Sequence, residues 1–351
     1  MQPTANGNEE RANILNGKLD RRSFIRGLSG ASLSWLFGSG VAKAGQNVKK
    51  HGKDEQGTRV AVVNTDDRKE GVAKAISLLD LNSEFSDSEV LIKPNFNTAD
   101  PFPASTHNET LIKVVEELRN RGASSITLGE RSGPPSTEDV LADKGIYELA
   151  EDLEFDLINF DKLPEEDLPV QRPSKSHWNE GFRVARPILE ADRIVSTPCL
   201  KTHQFGGVFT MSLKLSVGIV PRVGYNYMRE LHPSSTKMRK MIAEINQVYS
   251  PDLILMDGME VFTDGGPSSG ERKRANLIVA GTDRVAVDAV GIAILKTLGS
   301  NEEIMGTDAF QQEQIKRAVE LGLGVDDPEK INLVGNKKAQ SRINEIRANL
   351  S

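Results

Sequence analysis

The chain has 351 residues, with 44 Lys+Arg against 50 Asp+Glu and a formal net charge of −6. Residues 1–44 carry six of the bases and three of the acids, so the remainder holds 38 against 47, a net charge of −9. That excludes a general nucleic-acid or anionic-membrane surface, since both demand a basic face. The single cysteine, Cys199, excludes an internal disulfide and cannot alone hold an iron–sulfur cluster, which takes several thiolates.

In chain order, the first signal is Arg21-Arg22-Ser23-Phe24-Ile25-Arg26, followed by a weakly apolar run from Gly27 to Val41 and the small-residue site Ala42-Lys43-Ala44. This pattern reads as a twin-arginine export signal over residues 1–44. The apolar run is short and diluted by Gly and Ser, whereas a bilayer span needs ~20 mostly apolar residues. The expectation is therefore a periplasmic or otherwise exported protein, delivered by the twin-arginine export machinery, with no stable membrane span after processing. Residues 45–58 are polar and basic, and read as a linker.

From residue 59 the pattern alternates. Arg59–Asn64 reads as a strand, and Asp67–Leu79 as a helix with Val72, Ala75, Ile76 and Leu79 on one face. Val90–Lys93 is a second strand, and Asn108–Arg121 a helix with Asn108 at its cap and Gly122 at its end. Ser124–Gly129 is a strand, Tyr147–Leu153 a helix, and Phe155–Asn159 a strand. Residues 161–181, rich in Pro, Ser and charge, read as a surface loop or insertion. Asp192–Thr197, Leu253–Met256, Leu277–Ala280 and Ile331–Val334 come next as strands, with helices at Asp283–Leu298 and Ala309–Leu321. Phe209–Ile219 alternates apolar and polar residues with a strand period. Residues 336–351 read as a C-terminal helix or tail. The βαβα rhythm predicts an α/β fold over 59–335, a mostly parallel sheet with helices on both faces, built as one large domain or two lobes.

Ligands of open parallel sheets bind beyond the carboxyl ends of the strands, so the residues just past each predicted strand are the candidates for chemistry. There stand Lys93-Pro94-Asn95, Glu130-Arg131, Lys201-Thr202-His203 and Asp257-Gly258. Pro94 restricts Lys93 to extended geometry, aiming its ammonium and the Asn95 amide. Lys201 and His203, two apart, share a face if extended; a fixed cation beside a group titrating near neutrality suits holding an anion and moving a proton. Thr210 and Lys214, four apart, share a face in either a strand or a helix. His107 precedes a helix N-terminus, where an anion is favoured. Gly265 and Gly266 lie in a Gly-rich loop able to cradle an anion on backbone N–H groups. His107, His203, His232 and Asp257 form an alternative set of N/O ligands for a first-row metal. The cofactor is unknown, and no G-x-G-x-x-G follows the first strand, which argues against a dinucleotide.

These segments, in order, resemble the bacterial and archaeal family catalogued as domain of unknown function 362. The matching residues are Ile92-Lys93-Pro94-Asn95, Thr106-His107, Gly129-Glu130, Leu200-Lys201-Thr202-His203, Ser212-Leu213-Lys214, Asp257-Gly258, Gly265-Gly266-Pro267, and Asp283 with Val287-Asp288-Ala289. The resemblance spans roughly Val60 to Val334. Some family members carry ferredoxin motifs that this chain lacks, so it implies no electron-transfer role here.

The functional expectation is an enzyme that binds a small anionic molecule through Lys93, Asn95, Lys201, Thr210, Lys214, Gly265 and Gly266. His203 or His107 would transfer the proton, assisted by Lys201, with Asp257 orienting the imidazole. The alternative is a non-catalytic metal or cofactor carrier loaded before export.

Overall fold

The computed structural model describes residues 57–223 and 227–350. The expected signal over 1–44, and the linker up to residue 56, lie outside the described residues. Among those residues no helix is long and apolar enough to cross a membrane.

The first strand, β1 (Thr58–Asn64), buries four consecutive residues, Val60 to Val63. A strand apolar on both faces belongs in the middle of a sheet covered on both sides. Val60 and Val62 pack into one core and Ala61 and Val63 into another. The second core is closed by α1 (Arg68–Ser77) and α2 (Asn108–Asn120), the first by α9 (Arg284–Leu298) and α12 (Gln340–Ala348). α1 is capped by Asp67, which accepts from Glu70 N at 2.9 Å. α9 is capped by Asp283 and ends at Gly299, whose φ is 71°.

The parallel region is laid down by β2 (Glu89–Pro94), β3 (Ser125–Glu130), β4 (Asp156–Asn159) and β7 (Arg193–Thr197). Helices α3 (Thr137–Asp143) and α4 (Ile146–Asp152) connect β3 to β4. The remaining long strands, β10 (Leu253–Gly265) and β11 (Gly270–Gly281), form a hairpin, and β12 (Ile331–Gly335) closes one edge. The order is β12-β1-β11-β10-β7-β2-β3-β4, and along it only β11 runs against the rest. The fold is thus an α/β sheet, mostly parallel, with helices on both faces.

Residues 160–191 are more than a surface loop. A two-residue ribbon, β5 (Val170–Gln171) with β6 (Phe182–Arg183), and the short helix α5 (Arg186–Glu190) hold Leu168, Trp178 and Phe182 in a third core. That core packs against α8 (Ser235–Ile245), preceded by the single turn α7 (Met228–Leu231). Beyond Pro198 the chain leaves β7 as β8 (Cys199–His203), which pairs with the outer part of β10 and with β9 (Val208–Thr210). The alternation over Phe209–Ile219 is not one strand. It breaks at Met211, and α6 (Ser212–Leu215) begins there. Between α9 and β12 lie α10 (Glu302–Met305) and α11 (Glu313–Glu320).

Candidate functional site

The carboxyl ends of β2, β3 and β7 meet at one edge of the sheet. Lys93 is in register with Ser196, and Pro94 with Thr197. The Lys93 ammonium donates to Glu130 Oε1 at 2.5 Å and to the Pro94 carbonyl at 2.6 Å. Glu130 also accepts from the backbone N–H of Phe96 (2.9 Å) and Arg131 (2.7 Å). Both partners are 1 % exposed. Burial pushes Glu130 up and Lys93 down, and their mutual attraction opposes both shifts. Lys93, expected to bind ligand, therefore has its charge met inside the protein. Gly218 closes over the pair: a Cβ there would lie 2.7 Å from Lys93 Cε, so only glycine lets the turn after α6 settle on these strand ends.

Lys201 and His203 lie on β8, extended as their spacing requires, and Lys201 faces Thr210 across the β8–β9 ladder. The Lys201 ammonium donates to the carbonyls of Ala104 and Pro267. Burial lowers its pKa to about 8. Lys214 rides on α6, whose first two N–H groups, of Ser212 and Leu213, donate to the Asp288 carboxylate at 2.7 and 2.9 Å. Burial lifts Asp288 to about 7 against the pull of those donors. Lys214 itself is half-buried and has no hydrogen bond or ion pair among the described residues. Burial first, then Lys201 and Arg131, bring its pKa down to about 8.

Arg131 continues this line of charge. It is 4 % exposed, its Nε has no partner, and its guanidinium sits 5.0 Å from the centre of the Tyr227 ring. His203 is 7 % exposed, with Nδ1 unpartnered. Burial, then Lys214, then Lys201, depress its pKa to about 2, so the imidazole is neutral. His232 is exposed, its pKa lowered by burial and by Lys214. Phe205 stands at the mouth, its ring edge-on to His203 at 5.9 Å. Asn95 is buried next to the strand end with its Nδ2 unpartnered.

Other expected members lie elsewhere. Asp257 accepts from Arg68 Nε (2.8 Å), Thr110 Oγ1 (2.6 Å) and Met259 N (3.0 Å), which uses its acceptor capacity. It does not orient His203. His107, rather than Asn108, is the cap of α2: its Nδ1 accepts from Glu109 N at 3.1 Å. Burial, then Arg68, lowers the His107 pKa, and Asp257, Glu109 and Lys144 also act on it, whereas Lys201 and Lys214 do not. His107 and Asp257 thus belong to a second cluster, and His203 and His232 to the first. Among the described residues no group of three or more His, Cys, Asp or Glu is placed to hold a metal ion, so the four-ligand set is not assembled.

Gly265 and Gly266 serve the β10–β11 turn. Both have positive φ, and their N–H groups are taken by Asp264 Oδ1 (2.8 Å) and the Ser269 carbonyl (2.7 Å). They offer no free donors to an anion. Cys199 is fully buried and its thiol is pushed up to about 11 by burial, as befits a small core residue.

Arg131 stands among the strand-end candidates without an assigned role, and Ser132, Ser196, Thr197 and Tyr227 are absent from the sequence-based site. All five carry buried polar atoms without a hydrogen-bond partner. The first four are the last residues of β7 and the first residues beyond β3, so the strand-end rule contained them. Tyr227 is distant in sequence and only packing brings it over Arg131.

Fold and site together define an α/β protein with a cluster of cationic side chains, Lys201 and Arg131 buried and Lys214 half-buried, at the carboxyl end of its sheet. The family model described as "Domain of unknown function (DUF362)" matches residues 90–293, and the chain belongs to that family. The match encloses both lysine-bearing elements, β8 and α6, and the carboxylate that anchors α6. A relative from Synechocystis sp., the thylakoid-associated protein sll1697, is 24% identical over 209 residues, 59% of this chain and 63% of that protein. The chain thus matches somewhat less than two thirds of that relative's length. The solved lactate racemase apoprotein of Thermoanaerobacterium thermosaccharolyticum is similar with a TM-score of 0.42 and 13% identity, over 82% of this chain and 85% of that one.

Proposed function

We propose that this protein binds a small anionic ligand between Lys214, Lys201 and Arg131 and transfers a proton to or from it. One observation carries the reading. Eleven buried side-chain polar atoms lack a partner among the described residues, and eight of them, on Asn95, Arg131, Ser132, Ser196, Thr197, His203, Thr210 and Tyr227, belong to the lysine-bearing end of the sheet. Native interiors leave few such atoms, and a group of them marks a place for something else. Here Nδ2 of Asn95 and Nε of Arg131 can only donate, and hydroxyls can donate too. The only carboxylate among the partners of Lys93 and Arg131, Glu130, is engaged by three donors. Buried cations without counter-charge cost several kcal/mol, on the order of 3–5 when one partner is missing. An anion supplies the missing charge.

Proton transfer rests on the same electrostatics. Two of the three causes that hold His203 down to about 2 after burial are the charges of Lys214 and Lys201. A ligand anion lying between those lysines cancels them and raises the basicity of the imidazole. His203 is thus more basic with the anion present than without it, burial remaining the larger cause of its depression. Lys201 and Lys214, at about 8, stand close to the range useful for acid–base work. The metal-carrier alternative gains nothing from this geometry, because His203 and His232 flank an ammonium that repels a divalent cation.

Thermal melts with added malonate or phosphate test the binding. Either anion should raise the melting temperature of the wild-type chain, by the linkage that stabilises any liganded native state, and should lose that effect in Lys214→Met. A shift of equal size in both proteins would remove the lysine cleft as the binding place. Export through the twin-arginine route, motivated by Arg21-Arg22 and Ala42-Lys43-Ala44, completes the proposal.

A further inference from the structure

Lys214 differs from every other base of the cleft in having nothing to do. Lys93 is ion-paired to Glu130, Lys201 donates to two carbonyls, and Arg131 stacks on Tyr227. The Lys214 side chain runs past Gly207, where a Cβ would lie 3.1 Å from Lys214 Cε and 2.8 Å from His203 Nδ1. Glycine at that point keeps the space between amine and imidazole clear. The backbone beneath the lysine is fixed from outside the cleft by Asp288. The lysine thus springs from a fixed backbone and its amine is unpartnered, near a neutral imidazole and further cations.

We propose that Lys214 is a nucleophile that forms an imine with a 2-oxo acid. This inference rests on the anion-binding reading and names the ligand class for it. The carboxylate of such an acid would meet Lys201, Arg131 and the unpartnered hydroxyls, which puts the adjacent carbonyl carbon beside the amine. A phosphate would satisfy the same cations but offers no carbon to attack. In the reaction the lysine nitrogen forms a bond to the carbonyl carbon, and the C=O π pair moves to oxygen. Oxygen then leaves as water, carrying two of the three hydrogens of the Lys214 ammonium, and the third remains on the protonated imine. Charge and atoms balance without a further reactant. His203 Nδ1, unpartnered and facing the same gap, relays the proton from nitrogen to oxygen. A lysine desolvated next to another cation is a recognised way to obtain a nucleophilic amine near neutral pH, and the pKa of about 8 for Lys214 agrees with it.

The test is reductive trapping. The full chain is incubated with pyruvate and sodium cyanoborohydride, then analysed by intact mass and by peptide mapping. The expected result is one reduced adduct per chain, mapped to Lys214 in the wild-type protein itself and absent in Lys214→Met. Trapping at pH 8.5 should exceed trapping at pH 6.5 severalfold. Adduct spread over surface lysines, or retained in Lys214→Met, would overturn the inference. Malonate raising the melting temperature with no adduct from pyruvate would overturn the imine and leave the anion site standing. Absence of both responses would sink both.

Discussion

Replacing Lys214 by methionine should make the ligand-free protein more stable while abolishing its response to anions. The lysine is held down from 10.5 to about 8, chiefly by burial and next by Lys201 and Arg131. A pKa unit is worth about 1.4 kcal/mol, so the full shift corresponds to roughly 3 kcal/mol of destabilisation at pH 7. Lys214 is only half-buried, and solvent screening reduces this to about 1–2 kcal/mol. For a domain of this size that is an increase of about 2–3 °C in melting temperature. The sign depends on pH. With the folded pKa below the unfolded one, the native state holds fewer protons between about 8 and 10.5. The penalty is therefore complete below about 8 and fades as pH climbs to 10.5. Thermal or urea unfolding of both proteins at pH 7 and pH 10.5 should show a gap that narrows at the higher pH. A variant less stable than wild type at pH 7, or one still stabilised by malonate, would refute the claim that Lys214 is an uncompensated cation.

Three further outcomes are expected. His107→Ala removes the acceptor that caps α2 and should cost about 1 kcal/mol in a urea melt while leaving the malonate response intact. Asp288→Asn turns a donor toward one of the two N–H groups at the start of α6; it should lose about 1–3 kcal/mol and weaken malonate binding measured by calorimetry. Replacing Arg21 and Arg22 by lysine should leave precursor in the cytoplasm, seen by cell fractionation and immunoblot. Normal export of that double variant would end the twin-arginine assignment.

The fold was legible wherever burial on both faces imposed itself on the residues. Val60 to Val63 and the register partners of β2 and β7 are of this kind. The hairpin β10–β11 is longer than its apolar halves, Leu253–Met256 and Leu277–Ala280, because in its outer part buried Val261 and Phe262 stand among charged residues whose cross-strand pairs, Glu260 with Arg272 and Arg274, accompany the backbone ladder. Phe209–Ile219 misled for a different reason. Its alternation is that of a strand, yet Asp288, some seventy-five residues downstream in sequence, accepts the N–H groups of Ser212 and Leu213 and starts a helix there. A cap supplied from another element leaves no local signature. The site shows the same division. The strand-end rule located Lys201, His203 and Asn95, whereas the allegiance of His107 to Asp257 and Arg68 depends on packing across α1 and α2.

The distribution of the buried acids gives the cleft its meaning. Glu130 accepts from an ammonium and two backbone N–H groups, Asp257 from a guanidinium, a hydroxyl and a backbone N–H, and Asp288 from the start of α6. Each of these carboxylates organises the backbone or answers a base within its own element set. None turns toward Lys214. A protein that needed only stability would gain by pairing that half-buried lysine or by replacing it with an apolar residue, since a partly desolvated charge without a partner is costly. With these three carboxylates committed to scaffolding and the Lys214 side chain near a neutral imidazole, the arrangement would, on the proposed reading, trade stability for affinity toward a negative charge brought from outside. On the proposed anion-binding reading, the same arrangement would favour a charged ligand over a neutral one. A neutral ligand would gain hydrogen bonds but leave the repulsion among Lys201, Lys214 and Arg131 in place, whereas an anion would remove it and would also offset the two lysine charges that, after burial, depress His203.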